Sequence, residues 1–361
     1  MILATVVGAR PQFIKAAVLS RNLRNADFAF IQEHIIHTGQ HFDINMSDIF
    51  FDELNIPKPY ENLGISGGTH AQQTGQMMVS LEKCFSRLKP DAVLVYGDTN
   101  STIAASIVAA KSAIPLIHIE AGLRSFRPGM PEEINRVVTD RLSQFLFCPN
   151  EEAVRQLHKE GINQHVYNVG DIMYEGFLDF LDDSSFKQVL SDQNLNEKNY
   201  VLMTLHRQEN TDNQERLRFL LSLAEEIAKT TPILFLIHPR TKKIILNLNI
   251  VLSSNIKILS PQPYKKNVGL IKNASLVLTD SGGLQKEAYF AKTPCLTMRD
   301  ETEWKESVET GWNKLLSQDL SKNLDFVNYY MNDFDTSSYV ENLYGDGKCA
   351  QKILNIIANN L

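Results

Sequence analysis

The sequence predicts an α/β protein built from two doubly wound, Rossmann-like domains. Short apolar runs of strand length alternate with helical patterns along almost the whole chain. A polar segment, 181–199, separates one such series from a second. The length, 361 residues, also favours two cores over one. Strand–helix alternation of this kind builds parallel sheets covered on both faces by helices.

The first series gives strands at 2–7, 34–37, 92–96, 114–119, 145–148 and 166–169. Between them lie helical stretches at 11–23, 69–88 and 101–111. The second series gives strands at 200–205, 233–237, 256–259, 275–279 and 294–297. Its helix at 214–229 puts Leu217, Leu220, Leu221, Ala224 and Ala228 on one face, the period of a packed amphipathic helix. The seam is expected near residue 170. In such sheets ligands bind at the carboxyl ends of strands, so two facing domains place a site in the cleft between them.

Composition narrows the function classes. There are 36 Lys and Arg against 42 Asp and Glu, a net charge of −6, which argues against a general nucleic-acid binder. A small anion held in a locally basic cleft stays compatible with that balance. Four scattered cysteines show no CxxC, and Cys148 and Cys295 fall in apolar runs, so buried thiols in a reducing cytoplasm are expected. The N-terminal apolar run is too short for a signal peptide, and no segment has the length of a membrane span. Carboxylates and histidines are dispersed with no HExxH and no EF-hand loop, so no metal is expected.

Charged residues recur at the strand ends. "GARPQFIK" puts Arg10 and Lys15 around a helix start, with Pro11 where the first turn tolerates it. It lacks GxGxxG, the usual dinucleotide grip. "VYGDTNST" places Asp98 after a glycine turn, where an N-cap role alone would account for it. "IEAGLRSFRPGMPEEINR" runs a strand straight into Glu120, then returns Glu132 and Arg136 one turn apart on the next helix. "TLHRQEN" and "LIHPR" leave successive strands with His206 and His238 beside arginines. "TDSGGLQKEA" ends a strand at Asp280, then offers Ser281, Gly282 and Gly283 at a helix start. Free amides, the positive end of the helix dipole and no bulky side chains make a phosphate cradle. Glu287 lies about one turn into that helix.

These residues resemble the non-hydrolysing UDP-N-acetylglucosamine 2-epimerases. The resemblance runs nearly end to end, through "GARPQFIK", "HTGQHFD", "YGDTNST", "HIEAGLRS", "PEEINR", "TLHRQEN", "HPR", "TDSGGLQKEA", "RDETEW" and "YGDGKCA". It implies two domains of the glycosyltransferase-B kind: 1–170 with 348–361, and a UDP-binding domain at 171–347. The last helix would cross back to the first domain on Ile353, Ile356 and Ile357. A cytoplasmic homodimer with no cofactor, acting on a UDP-sugar without nucleic acid or membrane, is likewise implied.

The resemblance also assigns roles. Asp98, Glu120 and Glu132 become the acids near the sugar C2, and His206 a donor near the diphosphate. Clustered carboxylates raise one another's pKa values, so one is expected to hold its proton near neutrality. Arg10, Lys15 and Arg136 hold or steer substrate. Ser281, Gly282 and Gly283 grip phosphate, and Glu287 binds ribose. His238, Gln262, Tyr264 and Arg299 complete the substrate-binding set. Arg124, Arg127 and Arg141 read as solvated or interfacial, and Glu133 has no role.

Some positions depart from the family pattern. Gln208 stands where a second arginine is usual, Asn267 where an aromatic residue is common, and "TEWKE" (302–306) where "TERPE" is usual. Together with "GARPQFIKAA" these resemble the branch acting on UDP-2,3-diacetamido-2,3-dideoxyglucuronate. The segment after Gln40 and His41 differs from enzymes activated by a second substrate molecule, so no such activation is expected. A glycosyltransferase of the same fold, or a nucleotide-sugar sensor, would need the cradle but not three acids around C2.

Overall fold

The computed structural model describes residues 1–40, 54–127 and 129–361. The chain divides into two compact units, Met1–Gly176 with Asn342–Leu361, and Phe177–Glu341.

Unit 1 holds strands β1 (Ile2–Val7), β2 (Gln32–His37), β3 (Glu61–Asn62), β4 (Ala92–Tyr96), β5 (Leu116–Ile119), β6 (Phe145–Cys148) and β7 (Val166–Asn168). They form one sheet in the order β3-β2-β1-β4-β5-β6-β7, with every pair parallel. All residues of β4, β5 and β6 are buried, as strands covered on both faces must be. Helices α1 (Arg10–Asn22), α2 (His70–Leu88), α3 (Asn100–Lys111) and α4 (Pro131–Leu142) follow strands or the loops after them. The core on one face joins Val6, Ile36, Val93 and Val95 to Met77, Leu81 and Phe85 of α2 and Ala104, Ala105 and Val108 of α3. The alanines let α3 lie close to the sheet. Thr69 and Thr99 cap α2 and α3 by accepting from the amides of Gln72 and Thr102.

Unit 2 holds β8 (Val201–Thr204), β9 (Ile233–Leu236), β10 (Ile256–Leu259), β11 (Leu276–Thr279), β12 (Cys295–Thr297) and β13 (Asn313–Leu315). Their order is β10-β9-β8-β11-β12-β13, again all parallel. Helices α5 (Gln214–Ala228), α6 (Pro239–Asn247), α7 (Tyr264–Lys272) and α8 (Gly282–Phe290) belong to this unit. The expected face of α5 is buried, with Leu217, Leu220 and Ala224 at 0% exposure. Both sheets reverse direction once, between β1 and β4 and between β8 and β11. The helices leaving the two strands at a reversal go to opposite faces, which opens a crevice at the strands' carboxyl ends.

The last helix, α9 (Cys349–Asn360), packs on α1 within unit 1. Ile353, Leu354 and Ile357 are fully buried, whereas Ile356 is only half-buried, so Leu354 completes the face expected of Ile356. The Glu175 carboxylate ties the helix down, accepting from the Ala350 amide at 2.8 Å and from Asn22 Nδ2 at 3.0 Å. A carboxylate at a helix start is where the dipole favours it.

Two edge strands, β3 and β13, are absent from the sequence reading. Runs of two or three residues carry no periodicity to detect. β5 begins at Leu116 rather than Ile114, because Pro115 has no amide to donate to the ladder. All four cysteines are free and buried. Among the described residues no helix is long and apolar enough to cross a membrane.

Candidate active site

Unit 1 gathers several expected residues at the ends of adjacent strands. Gln12, in the first turn of α1, accepts from the amides of Gly8 at 2.8 Å and Ala9 at 3.0 Å. Its Nε2 donates to the Tyr96 carbonyl at 2.8 Å, so the ends of β1 and β4 are fixed together. Arg10 is the first residue of α1. Lys15, further along α1, is only 5% exposed and pairs with Glu120.

Glu120 follows β5 with φ at 73°, in the left-handed region. A non-glycine residue there carries about 1–3 kcal/mol of strain, tolerated where the surroundings fix it. Gly97 ends β4 with φ at 60°, and a methyl group on it would stand 3.1 Å from Glu120 Oε2 and 3.7 Å from Lys15 Nζ. Glycine is therefore needed for both conformation and space.

Asp98 comes next and accepts from the Arg136 guanidinium, which is buried on α4. Burial pushes the Asp98 carboxyl above the usual aspartate range. Arg136 pulls the other way, and the Glu120 charge adds to the rise. Asp98, Glu120, Lys15 and Arg136 are thus one electrostatic group. Glu132 is half-buried in the first turn of α4, and makes no hydrogen bond or ion pair among the described residues.

Its neighbour Glu133 has the role the sequence did not show. It accepts from Ser125 N at 2.8 Å, Ser125 Oγ at 2.7 Å, Phe126 N at 3.1 Å and Arg136 Nη1 at 3.3 Å. It pins the loop after β5 to α4 and helps aim Arg136. Asn135 does similar work, donating to the Asp98 carbonyl at 2.8 Å.

Arg124 is neither solvated nor interfacial within this chain. Its side chain is 2% exposed, meets Asp140 at 2.7 Å and grips both oxygens of Glu160 at 2.7 Å. Asp140 also accepts from the Gly122 amide at 3.2 Å and faces His118 Nδ1 at 2.7 Å. His118 Nε2 donates to the Gly97 carbonyl at 2.8 Å. A buried polar chain therefore runs from Glu160 to the turn that presents Asp98. Composition hid it, because an arginine next to a glycine-rich loop reads as surface.

Unit 2 builds a second group at the β8–β11 reversal. Asp280, fully buried at the end of β11, accepts from the amides of His206 at 3.0 Å and Arg207 at 2.8 Å and from Asn210 Nδ2 at 3.1 Å. His206 Nδ1 lies 3.2 Å from the same carboxylate while the ring is 43% exposed. That arrangement orients the ring and leaves Nε2 for a ligand.

Ser281 caps α8, its Oγ accepting from Leu284 N at 3.4 Å, which leaves its hydroxyl hydrogen to donate. First-turn amides of a helix, here Gly282 and Gly283, have no intrahelical partner. A methyl group on Gly283 would meet no atom within 4 Å, so the space above is open. This is the geometry of an anion site. Glu287 follows in α8 and is 9% exposed.

A family model described as UDP-N-acetylglucosamine 2-epimerase matches residues 23–358, nearly the whole chain. The chain belongs to the UDP-N-acetylglucosamine 2-epimerase family. The epimerase is 45% identical to a UDP-N-acetylglucosamine 2-epimerase homolog of Methanococcus maripaludis, over 99% of this chain and 100% of the relative. It is 42% identical to the UDP-2,3-diacetamido-2,3-dideoxy-D-glucuronate 2-epimerase of Pseudomonas aeruginosa, over 99% of both chains. The crystal structure of Methanocaldococcus jannaschii UDP-GlcNAc 2-epimerase in complex with UDP-GlcNAc and UDP superposes with a TM-score of 0.89 at 41% identity, covering all of both chains.

The remaining expected residues of the epimerase have local partners. His238 is the N-cap of α6, its Nδ1 accepting from the Arg240 amide at 3.2 Å, and its ring centroid lies 6.5 Å from that of His206. Burial, then the charges of His206 and Arg240, lower its pKa. Gln262 Nε2 donates to the Ser260 carbonyl at 2.9 Å. Tyr264 opens α7 at 3% exposure, with its ring edge-on to Phe180 at 5.7 Å. Arg299, also 3% exposed, is paired with Glu303 at 2.8 Å and Glu209 at 3.4 Å. Both are built into the packing of unit 2. Gln40 accepts from Ser101 N at 3.0 Å and Ser101 Oγ at 2.7 Å, and His41 lies outside the described residues. Among the described residues no group of three or more His, Cys, Asp or Glu side chains is placed to hold a metal.

Proposed function

We propose that the epimerase inverts C2 of a UDP-N-acetylhexosamine, taking UDP-GlcNAc to UDP-ManNAc. The observation that carries this reading is the coupled group of Asp98, Glu120, Lys15 and Arg136. A C2 proton with no adjacent carbonyl is not acidic. Breaking the C1–O bond, with its electron pair leaving on the β-phosphate oxygen of UDP, builds positive charge at C1. A carboxylate then takes the C2 proton, and C1=C2 forms as a 2-acetamidoglucal. A second acid returns a proton to the opposite face of C2. The UDP oxygen adds back to C1.

Two carboxyls of unlike pKa suit removal and return of a proton. Asp98, raised by burial and by Glu120, is one of them. Glu120 or Glu132 supplies the other. In unit 2 the open amides of α8 with Ser281 suit the diphosphate, Glu287 the ribose, and His206 the departing oxygen. Arg10 and Lys15 would steer the anion.

The reading is tested by incubating the protein with UDP-GlcNAc in deuterium oxide. Deuterium at C2 of both epimers supports it. Donor consumption only with an added acceptor would favour a glycosyltransferase, and release of free sugar as the main product a hydrolysing enzyme. The same assay on UDP-2,3-diacetamido-2,3-dideoxyglucuronate addresses a second substrate. That reading is supported by Trp304 and Lys305 in place of the usual loop and by the Pseudomonas relative. A cytoplasmic homodimer feeding surface-polysaccharide or lipopolysaccharide precursors is part of the proposal; light scattering reads the oligomer.

The Asp98 shift gives a pH prediction. A raised pKa keeps Asp98 protonated to a higher pH than a free aspartate. The kcat/KM profile should therefore show a carboxyl limb above the ordinary aspartate range. A rising limb assigns Asp98 as base, a falling one as acid. Glu120→Gln removes a neighbouring negative charge and releases Lys15, and both effects lower the Asp98 pKa. The limb should then move to lower pH. A limb that stays in place in that variant would remove Asp98 from its assignment.

A further inference from the structure

The motif leaves one group at the α8 cradle without a role. Trp304 is 7% exposed, and its Nε1 has no hydrogen-bond partner among the described residues. An indole N–H only donates, and a buried donor without an acceptor is unfavourable. The nitrogen lies at the start of α8. A methyl group on Gly282 would stand 3.7 Å from it, 3.6 Å from Arg207 Nη2 and 3.9 Å from Glu303 Oε2.

The ring is held firmly. Trp304 N donates to Thr302 Oγ1 at 3.1 Å, and Thr302 Oγ1 donates to Gln285 Oε1 of α8 at 2.6 Å. Ser307 Oγ donates to the Trp304 carbonyl at 2.7 Å. The Lys286 ammonium, itself 3% exposed, sits over the ring 3.9 Å from its centroid. Glu303, whose carboxylate lies near the same point, is paired with Arg299 at 2.8 Å and Arg207 at 3.9 Å, so it is compensated. The local field therefore favours an anion: the first-turn amides and a fixed N–H meet at the start of α8, and a buried lysine lies over the indole face.

We propose that the Trp304 indole N–H donates to a phosphate oxygen of the bound nucleotide diphosphate, with Lys286 behind the ring reinforcing it. This rests on the nucleotide-binding reading above. It makes Trp304 a ligand-contacting residue where the usual motif has an arginine. Trp312 is the natural contrast. Its Nε1 also lacks a partner among the described residues, but its ring is enclosed by Tyr289, Phe334 and Tyr339 with edge-to-face geometry. Aromatic faces accept an N–H weakly, and no cradle opens there.

The sequence has two tryptophans, so an indole-15N-labelled full-length chain gives two side-chain signals. Trp304→Phe, or Trp312→Phe should the first fail to fold, assigns them. Titration with UDP should move the Trp304 signal downfield and leave Trp312 in place. UMP should move it less, and uridine not at all. Trp304→Phe keeps a ring under Lys286 and should weaken UDP binding by about tenfold, the value of one hydrogen bond to a charged group. An unmoved Trp304 signal in native protein that binds UDP overturns the inference alone. So does an equal shift with uridine, a shift seen only with the sugar nucleotide, or unchanged UDP affinity in Trp304→Phe. Native protein that binds no UDP overturns the nucleotide reading with it.

Discussion

Asp98→Asn should reduce C2 deuterium incorporation and epimer formation by about a thousandfold while UDP still binds. General acid–base groups contribute roughly 10²–10⁴-fold, and an amide neither takes nor gives the proton. The substitution is nearly isosteric, and its carbonyl can still accept from Arg136, so the turn after β4 should keep its shape. UDP affinity is the control, because the cradle of α8 is built from unit 2 alone. Calorimetric titration with UDP beside the exchange assay separates the outcomes. Retained exchange in Asp98→Asn would remove Asp98 from the chemistry. Loss of both exchange and UDP binding would point to a structural role.

Asp140→Ala should destabilise unit 1 by about 3–5 kcal/mol, the cost of removing one partner from a buried ionic group. Asp140 is 1% exposed and takes hydrogen bonds from Arg124 and the Gly122 amide while facing His118. Its removal leaves a buried guanidinium with Glu160 and the Leu123 carbonyl but without its buried counter-charge, and loosens the ring that holds the Gly97 carbonyl. Urea unfolding followed by far-UV circular dichroism should shift to a lower midpoint. Tryptophan fluorescence should shift less, because Trp304 and Trp312 both belong to unit 2. A midpoint unchanged by either probe would show that the chain from Glu160 to Gly97 contributes little to stability. Activity should fall as well, since that chain supports the turn carrying Asp98.

The sheets were legible because buried parallel strands are nearly continuous apolar runs, as in β4 and β8. The acids were legible because such runs do not ordinarily end on carboxylates, as β5 does at Glu120. The supporting residues were not. Asp280 takes its hydrogen bonds from His206 and Arg207, far away along the chain. Gln12 joins the ends of two strands that only the sheet brings together. Glu133 and Glu132 are alike in type and adjacent, and only the helix rotation decides which one meets the Ser125 loop. His238 shows the opposite difficulty: a residue type suited to catalysis serves as an N-cap.

The left-handed backbone at Glu120 has a consequence for the epimerase as a target of engineering. Glycine adopts that conformation without strain, but it would leave Lys15, 5% exposed, without the carboxylate it faces here. Losing one partner of a buried ion pair costs about 3–5 kcal/mol, more than the strain of about 1–3 kcal/mol that glycine would relieve. Engineering for stability on this scaffold should therefore keep the strained residue 120 as it is and look for gains elsewhere.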